Sequence, residues 1–293
     1  MKTLDKKATS AQCIVCDHDE TDRLYDQLLK CKQCGYIWAD VEFSKENVIQ
    51  FYNNNYFFGK EYMDYIKEEQ ALKKNFLRHL KIIKKFKSSG KLLEIGSAYG
   101  FFLDLAKEDF EVEGIEINAS GCRHTQEKLD IKAVCDDFLE TEYEEESFDI
   151  IVMWATLEHL RHPHLYIQKI NRLLKEGGIF ACAVPDIGSL LARIQKESWR
   201  QIMPPEHLNY FSEVTLEKLL ARNGFQKRMS IRLGEYRTVD YVLYLLCKGK
   251  GWGERFYSFL KRWKLNRGMF YLNTFDTLTM IASKEKGQIS NEN

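Results

Sequence analysis

Short apolar stretches of strand length alternate with stretches of helical periodicity between residues 92 and 184. The predicted strands cover residues 92–95, 112–117, 131–135, 148–154 and 179–184. Strands that alternate with helices pair in parallel, and parallel sheets bind their ligands at the carboxyl ends of the strands. The pattern therefore predicts an α/β fold with a largely parallel sheet, and further strands are expected near residues 226–233 and 275–282.

A glycine turn follows the first of these strands and opens a helix. The turn reads Gly-Ser-Ala-Tyr-Gly at residues 96–100, and such a turn presents backbone amides and a helix N-terminus to a polar or anionic group. Glu116 stands near the end of the next strand, and an acid about 20 residues beyond a glycine turn is placed to accept hydrogen bonds from ribose hydroxyls. The two strand ends therefore predict a nucleoside site that includes Gly96, Ser97 and Gly100.

Four cysteines near the N-terminus form two Cys-x2-Cys pairs: Cys13, Cys16, Cys31 and Cys34. Two such pairs supply the four thiolates of a tetrahedral zinc site, because each pair loops its sulfurs onto one side of a tight turn. We expect a zinc ribbon with a short hairpin at residues 24–29. A structural role is expected, since four sulfurs leave no open coordination position. A redox pair and four ordinary buried thiols are the alternatives.

Composition excludes several functional classes. The 293 residues include 43 basic and 43 acidic side chains, so no net field attracts a polyanion, and a nucleic-acid partner is disfavoured. The longest apolar run, residues 241–247, is far shorter than the roughly 20 residues that span a bilayer. The first residues carry charge without an apolar signal region, which makes the cytoplasm the expected location. There the remaining cysteines are expected as core thiols: Cys122, Cys135, Cys182 and Cys247.

We predict four segments along the chain. A zinc-ribbon module (residues 10–45) is followed by a helical bridge (46–88), in which residues 70–86 form an amphipathic helix with a basic outer face. The main domain covers residues 89–285. A flexible tail (286–293) ends the chain.

An insertion at about residues 234–274 separates the last two predicted strands and is long for a simple connection. Its central helix, 252–263, places large apolar side chains on a narrow stripe: Trp252, Phe256, Phe259, Leu260 and Trp263. Basic residues lie off this stripe. The pattern is typical of a helix in a membrane interface, which would make the protein peripheral to the inner face of the membrane. A lid over the domain and a homodimer contact are the alternatives.

Several motifs, in order, carry a resemblance to a known family. The first two resemble motifs of class I S-adenosylmethionine-dependent methyltransferases, the next three resemble that family's fourth-strand and fifth-strand signatures, and the last resembles a loop of ubiquinone-type O-methyltransferases. They are LEIGSAYG (93–100), GIEIN (114–118), FDII (148–151), LEHL (157–160), LKEGG (174–178) and PPEHL (204–208). With its cysteine module, the chain also resembles zinc-binding sugar C-methyltransferases.

This resemblance implies a Rossmann-like, seven-stranded methyltransferase sheet with a small N-terminal zinc-ribbon module and an α-helical insertion before the last strand. It also implies S-adenosylmethionine as the methyl donor. By motif position, Glu94 contacts the methionine moiety, and Gly96 lets the backbone approach the ligand. Glu116 holds the ribose, Asp136 binds the exocyclic amine of adenine, and Phe138 provides an apolar contact to the base.

One position departs from the family, because Ala98 stands where glycine is common. Alanine restricts the turn. The alternative for such a turn is a nicotinamide-dependent oxidoreductase, which would need G-x-G-x-x-G to hold a pyrophosphate. Here the glycines are spaced as Gly96-x-x-x-Gly100, and the nearby acids suit a sulfonium cation better.

Methyl transfer from a sulfonium is an in-line displacement, so alignment supplies most of the catalysis. A base is needed only where the acceptor loses a proton, and a histidine suits that role near neutral pH. His159 lies just beyond the fourth strand, where the family places its acceptor, and His207 lies in the Pro-Pro-Glu-His loop. The alternative role for either histidine is a hydrogen bond that supports a loop. A related subgroup binds a divalent ion through E-x-x-E-H, but Ala155 occupies the first position, so no active-site metal is predicted.

The chain also lacks the Asp/Asn-Pro-Pro-Tyr/Phe motif that is typical of nucleobase amine methylation, since residues 154–157 read Trp-Ala-Thr-Leu. We therefore predict transfer to a hydroxyl or an activated carbon of a small molecule or glycan precursor. The alternatives are a non-catalytic adaptor that binds a partner through its zinc module and basic helices, and methylation of RNA.

Overall fold

A computed structural model describes residues 12–41, 66–247, 253–263 and 268–285. The predictions for residues 46–65 of the bridge, for Trp252 and for the tail lie outside this part of the chain. The strands are β1 (Thr21–Leu24), β2 (Leu28–Cys31), β3 (Ile37–Ala39), β4 (Lys91–Ile95), β5 (Glu111–Ile115), β6 (Lys132–Val134), β7 (Phe148–Trp154), β8 (Leu174–Pro185), β9 (Asn209–Tyr210), β10 (Phe225–Arg232), β11 (Glu235–Thr238), β12 (Met269–Leu272) and β13 (Thr277–Lys284). The α-helices are α1 (Glu69–Ile83), α2 (Phe101–Ala106), α3 (Ala119–Leu129), α4 (Pro163–Leu173), α5 (Leu190–Gln195), α6 (Glu213–Arg222), α7 (Val239–Cys247) and α8 (Gly253–Arg262).

Seven strands form the central sheet in the order β10-β13-β8-β7-β4-β5-β6. β13 runs antiparallel to both of its neighbours, and the other pairs are parallel. This confirms the predicted Rossmann-like sheet. The strand bounds fall close to the predicted ones because most of these strands are buried apolar runs between turn residues.

Alternate side chains of the central strands enter two hydrophobic cores. In β7, Ile151 and Met153 pack in the same core as Phe180, whereas Ile150 and Val152 pack in the other. Successive side chains of a strand point to opposite faces of its sheet, so both faces of this sheet are covered. Ligand-binding groups must therefore lie beyond the carboxyl ends of the strands rather than on a face.

The cysteine ribbon forms a second, antiparallel sheet in the order β1-β2-β3-β9. β1 and β2 form the predicted hairpin, and β3 pairs with β9 of the main domain, where Ile37 lies opposite Tyr210. Cys13 and Tyr36 are buried in the same core as Phe211. The ribbon and the main domain therefore share both a sheet and a core, and the predicted domain boundaries stay predictions.

The predicted start of the strand at residues 179–184 is wrong, because residues 175–178 also belong to this strand. β8 already begins at Leu174 and passes through these residues, with a register shift against β7 between Phe148 and Ile150. Gly177 has a φ of 67°, which glycine adopts without strain. A glycine pair inside a strand that carries an irregularity gives the same sequence signal as a turn.

The prediction of separate core thiols is also wrong for two cysteines. Cys122 in α3 and Cys135 after β6 form a disulfide, with their Cα atoms 5.6 Å apart. Cys182 and Cys247 are buried thiols, as expected. The spacing of single cysteines cannot reveal the disulfide, because the two residues meet only when α3 packs beside β6.

The insertion docks on α1. Asn75 exchanges two hydrogen bonds with Tyr236 of β11: the Tyr236 N–H donates to Oδ1 at 2.7 Å, and Nδ2 donates to the Tyr236 carbonyl at 3.1 Å. The guanidinium of Arg78 lies 4.4 Å from the ring centroid of Tyr271. One side of the insertion is thus fixed to the helix that precedes the central sheet. Within the described ranges, no helix has the length and apolar character needed to cross a membrane.

Candidate active site

Three residues of the turn at 96–100 have left-handed backbone conformations. Gly96 has a φ of 75°, Ala98 of 47°, and Gly100, which caps α2, of 73°. A Cβ at position 96 would lie 2.6 Å from the Thr156 hydroxyl oxygen, so only glycine fits there. Ala98 adopts the glycine-like conformation at a cost of about 1 kcal/mol. The turn therefore lies directly against the loop that follows β7.

Glu116 follows β5 and directs its carboxylate onto this turn. Its Oε2 accepts the N–H of Ala98 at 2.7 Å, and its Oε1 accepts the N–H of Asn118 at 2.8 Å. Burial raises the pKa of Glu116, and the amide donors of Asn118 and Ala98 oppose that rise. The carboxylate thus supports the strained Ala98. Each of its oxygens retains acceptor capacity for a ribose hydroxyl.

Two buried oxygens at the end of β4, Glu94 Oε2 and Ser97 Oγ, have no hydrogen-bond partner in the described part of the chain. Burial, followed by the charge of Glu116, raises the pKa of Glu94 well above its ordinary value. A buried polar group without a partner costs free energy. The sulfonium and ammonium groups of S-adenosylmethionine would favour the ionised Glu94, so these residues fit that donor.

The two candidate adenine contacts differ in exposure. Asp136 is exposed after β6, and its Oδ1 accepts the N–H of Asp137 at 2.7 Å. Phe138 is 3% exposed and stacks on Tyr166, with ring centroids 5.6 Å apart. Asp136 therefore lies at the same sheet edge as Glu116, whereas Phe138 belongs to the core behind that edge. Their roles toward adenine stay predictions.

His159 and His207 come together at the carboxyl end of β7, with ring centroids 4.7 Å apart. His159 Nδ1 lies 2.8 Å from the Glu206 carbonyl oxygen, and His207 Nδ1 lies 2.9 Å from the Gln201 carbonyl oxygen. Because a carbonyl only accepts, each Nδ1 carries the proton of a neutral ring and each Nε2 presents a lone pair. Both predicted histidines thus have defined tautomers in one small cluster.

Glu158 is the third member of this cluster, although the sequence analysis does not assign it to the site. Its Oε1 lies 3.9 Å from His159 Nε2. Its Oε2 has no hydrogen-bond partner among the residues that the structure describes. Burial raises the pKa of Glu158 to about 8, and it lowers the pKa of His159 to about 4 and that of His207 to about 3. All three side chains are therefore largely uncharged near pH 7.

This acceptor-side cluster, Glu158, His159 and His207, combines a carboxyl of high proton affinity with two imidazole lone pairs. One ligand atom from each side chain lies within 4.8 Å of the others. Two imidazoles whose Nδ1 atoms are held by carbonyls, together with a carboxylate, are also a donor set for a divalent cation. Ala155 is the reason that no metal is predicted here from sequence, and His207, which the fold brings in from a distant loop, lies outside that motif.

The four ribbon cysteines form a second cluster. The sulfurs of Cys13 and Cys34 are 3.5 Å apart, as are those of Cys16 and Cys31, and all four lie within 4.8 Å of one another. Four sulfurs about 2.3 Å from a zinc ion stand about 3.8 Å apart. Burial would raise the pKa of Cys31, but amide donors from Cys34 and Gln33 lower it to about 7. Burial raises the pKa of Cys13 and of Cys34, so the fit to zinc rests on the sulfur positions. The donor set therefore fits structural zinc.

Comparison with known proteins agrees with this geometry. The methyltransferase domain family matches residues 65–228, and no curated protein matches the chain. Similar solved structures include a candidate methyltransferase of Bacillus halodurans (12% identity, 72% of this chain and 99% of that chain, TM-score 0.51). A methyltransferase of Thermotoga maritima (19%, 76% and 95%, 0.51) and one of Haloferax volcanii in complex with the Trm112 activator (14%, 75% and 95%, 0.53) are also similar. At these identities the structures show a shared fold.

Proposed function

Since the chain belongs to the methyltransferase domain family, we propose that it methylates a hydroxyl or an activated carbon of a small molecule or glycan precursor. The chain is an S-adenosylmethionine-dependent methyltransferase, and the proposed part is the acceptor. The observation that carries it is the acceptor-side cluster next to the glycine turn, because its two neutral imidazoles can take a proton from an acceptor near neutral pH.

On the donor side, S-adenosylmethionine supplies an electrophilic methyl group on a sulfonium. We propose that Glu116 holds the ribose hydroxyls, that Asp136 binds the adenine amine, and that Glu94 faces the charged methionine end. Gly96 and Ser97, which belong to the turn at 96–100, are proposed to line the binding position of the donor. The unpartnered oxygens of Glu94 and Ser97 support these roles, because a polar cationic ligand would supply the partners they lack.

On the acceptor side, His159 is the proposed base. Its Nε2 takes the proton of the acceptor oxygen or carbon as that atom forms its bond to the methyl group, while the bond from the methyl group to sulfur breaks and S-adenosylhomocysteine leaves. Glu158 binds a proton more tightly than His159, since their pKa values are about 8 and about 4. An ionised Glu158 therefore accepts the proton from the imidazole. His207 presents a second Nε2 and is the second candidate base. Methylation of a hydroxyl should therefore accelerate as the pH rises toward 8.

Two measurements test this function. Calorimetric titration with S-adenosylmethionine and S-adenosylhomocysteine should show binding, and the absence of binding at millimolar ligand would defeat the enzyme assignment. A screen for S-adenosylhomocysteine release should then cover nucleotide sugars, quinol precursors and lipid-linked glycans, with RNA and amine acceptors as contrasts. Turnover of a hydroxyl or acidic-carbon acceptor supports the proposal. Turnover of RNA or amine acceptors alone contradicts it.

We also propose that α8 rests on an anionic membrane surface. Phe256 and Phe259 of α8 and Trp263, which directly follows it, lie along one side of the segment 253–263 and are 46%, 51% and 64% exposed. The adjacent side packs on α7, where the Tyr257 hydroxyl donates to Asp240 at 3.0 Å. Aromatic side chains beside cationic ones complement an interface of acyl chains and anionic headgroups. The exposed basic residues of the segment are Arg255, Lys261 and Arg262.

Flotation with phosphatidylcholine vesicles that contain phosphatidylserine tests this contact. The wild-type chain should float with the anionic vesicles, and the double variant Phe259→Ser/Trp263→Ser should not. Vesicles of phosphatidylcholine alone provide the charge control. A wild-type chain that does not float with the anionic vesicles would contradict the membrane contact. A dimer of the wild-type chain that the double variant abolishes would assign this face to a second copy of the chain.

A further inference from the structure

The acceptor-side loop, residues 156–160, has few hydrogen bonds of its own. The His159 N–H donates to the Thr156 carbonyl at 3.0 Å, and the Leu160 N–H reaches the Leu157 carbonyl only at 3.4 Å. A short turn with so little internal bonding does not determine its own shape. Its conformation must therefore be set by the groups that pack against it.

Asn209 of β9 supplies those groups from a distant part of the sequence. Its Nδ2 donates to the Leu160 carbonyl at 2.6 Å and lies 3.4 Å and 3.3 Å from the carbonyl oxygens of Leu157 and Glu158. The neighbouring Leu208 N–H donates to the Glu158 carbonyl at 2.8 Å. Asn209 is 5% exposed, so water does not readily replace these bonds. One amide group thus gathers the carbonyls on both sides of His159.

The cysteine ribbon in turn holds Asn209. Tyr36 follows Cys34 by two residues, and its hydroxyl donates to Asn209 Oδ1. The Ala39 N–H of β3 donates to the Leu208 carbonyl at 2.9 Å. Tyr36 is 2% exposed and stacks on Trp38, with ring centroids 5.5 Å apart, so its hydroxyl has little freedom to move. The ribbon therefore fixes the orientation of the amide that fixes the loop.

We propose that Tyr36 and Asn209 are positioning residues, through which the cysteine ribbon holds Glu158 and His159 in their reactive arrangement. The ribbon acts as an internal scaffold for the acceptor side of the site. Neither residue contacts the glycine turn or Glu116 in any hydrogen bond described above, so the direct hydrogen bonds from the ribbon reach only the acceptor side of the site. For the chemistry of His159 this inference rests on the proposed function, whereas the contacts themselves do not.

Hydrogen exchange followed by mass spectrometry tests the scaffold in the full chain. Asn209→Ala removes the amide, and Tyr36→Phe removes a single hydroxyl, so the second variant remains informative if the first fails to fold. Arg222→Gln is the matched control, because Arg222 also joins the main domain to the ribbon, through an exposed ion pair with Asp17. Each variant is also titrated with S-adenosylhomocysteine as the probe of the donor side.

Asn209→Ala should speed exchange in peptides that cover residues 156–161 by about tenfold, and Tyr36→Phe by about threefold, because each loses bonds that hold the loop closed. Exchange at residues 94–100 and the affinity for S-adenosylhomocysteine should stay within about twofold of wild type. The imidazole NMR signal of His159 should shift in both variants. Arg222→Gln should change none of these readouts.

Unchanged exchange at residues 156–161 in both variants, or an equal increase at residues 94–100, would overturn the scaffold. A wild-type chain that binds no S-adenosylhomocysteine would instead overturn the proposed function. The exchange pattern would still decide whether the ribbon holds the loop, so the two failures are distinguishable.

Discussion

The two halves of the site lie at neighbouring strand ends but are assembled differently. One half is the donor crevice, which consists of Glu94, the turn at 96–100 and Glu116, and the other is the acceptor-side cluster. The crevice residues are close in sequence, and adjacent strands β4 and β5 hold them directly. The cluster needs His207 from a loop far along the chain and hydrogen bonds that lead back to Tyr36 in the ribbon. We therefore expect the crevice to tolerate loss of the ribbon better than the cluster does.

The largest effect should follow from disruption of the four-cysteine cluster, which fits a structural zinc ion. Metal analysis of protein purified without chelator should find about one equivalent of zinc. Cys31→Ser should lower the melting temperature sharply, because the cluster is part of the main core and structural zinc contributes folding free energy directly. Cys182→Ser, which changes a buried thiol outside the cluster, is the control. Well under one equivalent of metal in the wild-type protein would reject the zinc site.

The next largest effect should come from Glu116→Ala. Loss of buried hydrogen bonds to ribose should weaken S-adenosylmethionine binding by about 1 to 3 kcal/mol. Calorimetry measures this change, and Glu113→Ala, which removes a neighbouring acid on β5, is the control. The acceptor-side loop should keep its wild-type hydrogen exchange. An unchanged affinity in Glu116→Ala would reject the proposed hydrogen bonds from Glu116 to the ribose and, with them, the proposed donor crevice.

A smaller effect should appear in the pH dependence of stability. Glu158 has a pKa of about 8 in the folded chain against its ordinary value of 4.5, so its contribution to the free energy of unfolding falls as the pH rises through this range. His159 and His207 have lowered pKa values and destabilise the fold only as the pH falls below about 6.5. Between pH 6.5 and 8, Glu158 should therefore cost up to about 2 kcal/mol.

Urea unfolding at pH 6.5 and pH 8.0 measures this change. Glu158→Gln should lose less stability than wild type across the interval, because glutamine has no proton to bind. The comparison between variant and wild type cancels the contributions of other carboxyls, including Glu94. Equal losses in the two proteins would show that Glu158 does not titrate in this range. That result would reject the proposed proton transfer from His159 to Glu158.

The smallest effect should come from Ala98→Gly. Ala98 holds a φ of 47°, which glycine adopts without a Cβ penalty, although glycine gains more entropy on unfolding. The two terms leave a net stabilisation of about 0.5 kcal/mol. Thermal unfolding measures it, and affinity for S-adenosylmethionine should be unchanged or higher. A marked loss of stability would mean that the Ala98 methyl group contributes packing that outweighs the backbone strain.

Much of the fold and of the donor crevice follows from sequence because the signals are local. Strand periodicity gives β4, β5 and β7, and the residues that matter for the crevice belong to motifs only a few residues long. The prediction of Glu116 needs only its distance from the glycine turn. The cysteine spacing similarly identifies Cys13, Cys16, Cys31 and Cys34 as a cluster, since two short pairs carry the whole pattern.

The acceptor side could be predicted only in part. His159 and His207 are found by residue type, but their tautomers depend on carbonyls of Glu206 and Gln201 that sequence does not place. The high pKa of Glu158 arises from burial, which appears only in the folded chain. The sequence likewise gives no sign that Tyr36 meets Asn209, because no periodic or spacing signal links them.

The central claim is that Glu94, the glycine turn and Glu116 form a crevice for an adenosyl thioether. A crystal structure of the full chain grown with S-adenosylhomocysteine tests it most directly. We expect the ribose hydroxyls within hydrogen-bond distance of the Glu116 carboxylate, and we expect the thioether to lie over the turn at 96–100. A complex in which protein side chains fill that crevice, or in which the ligand binds elsewhere, would contradict it.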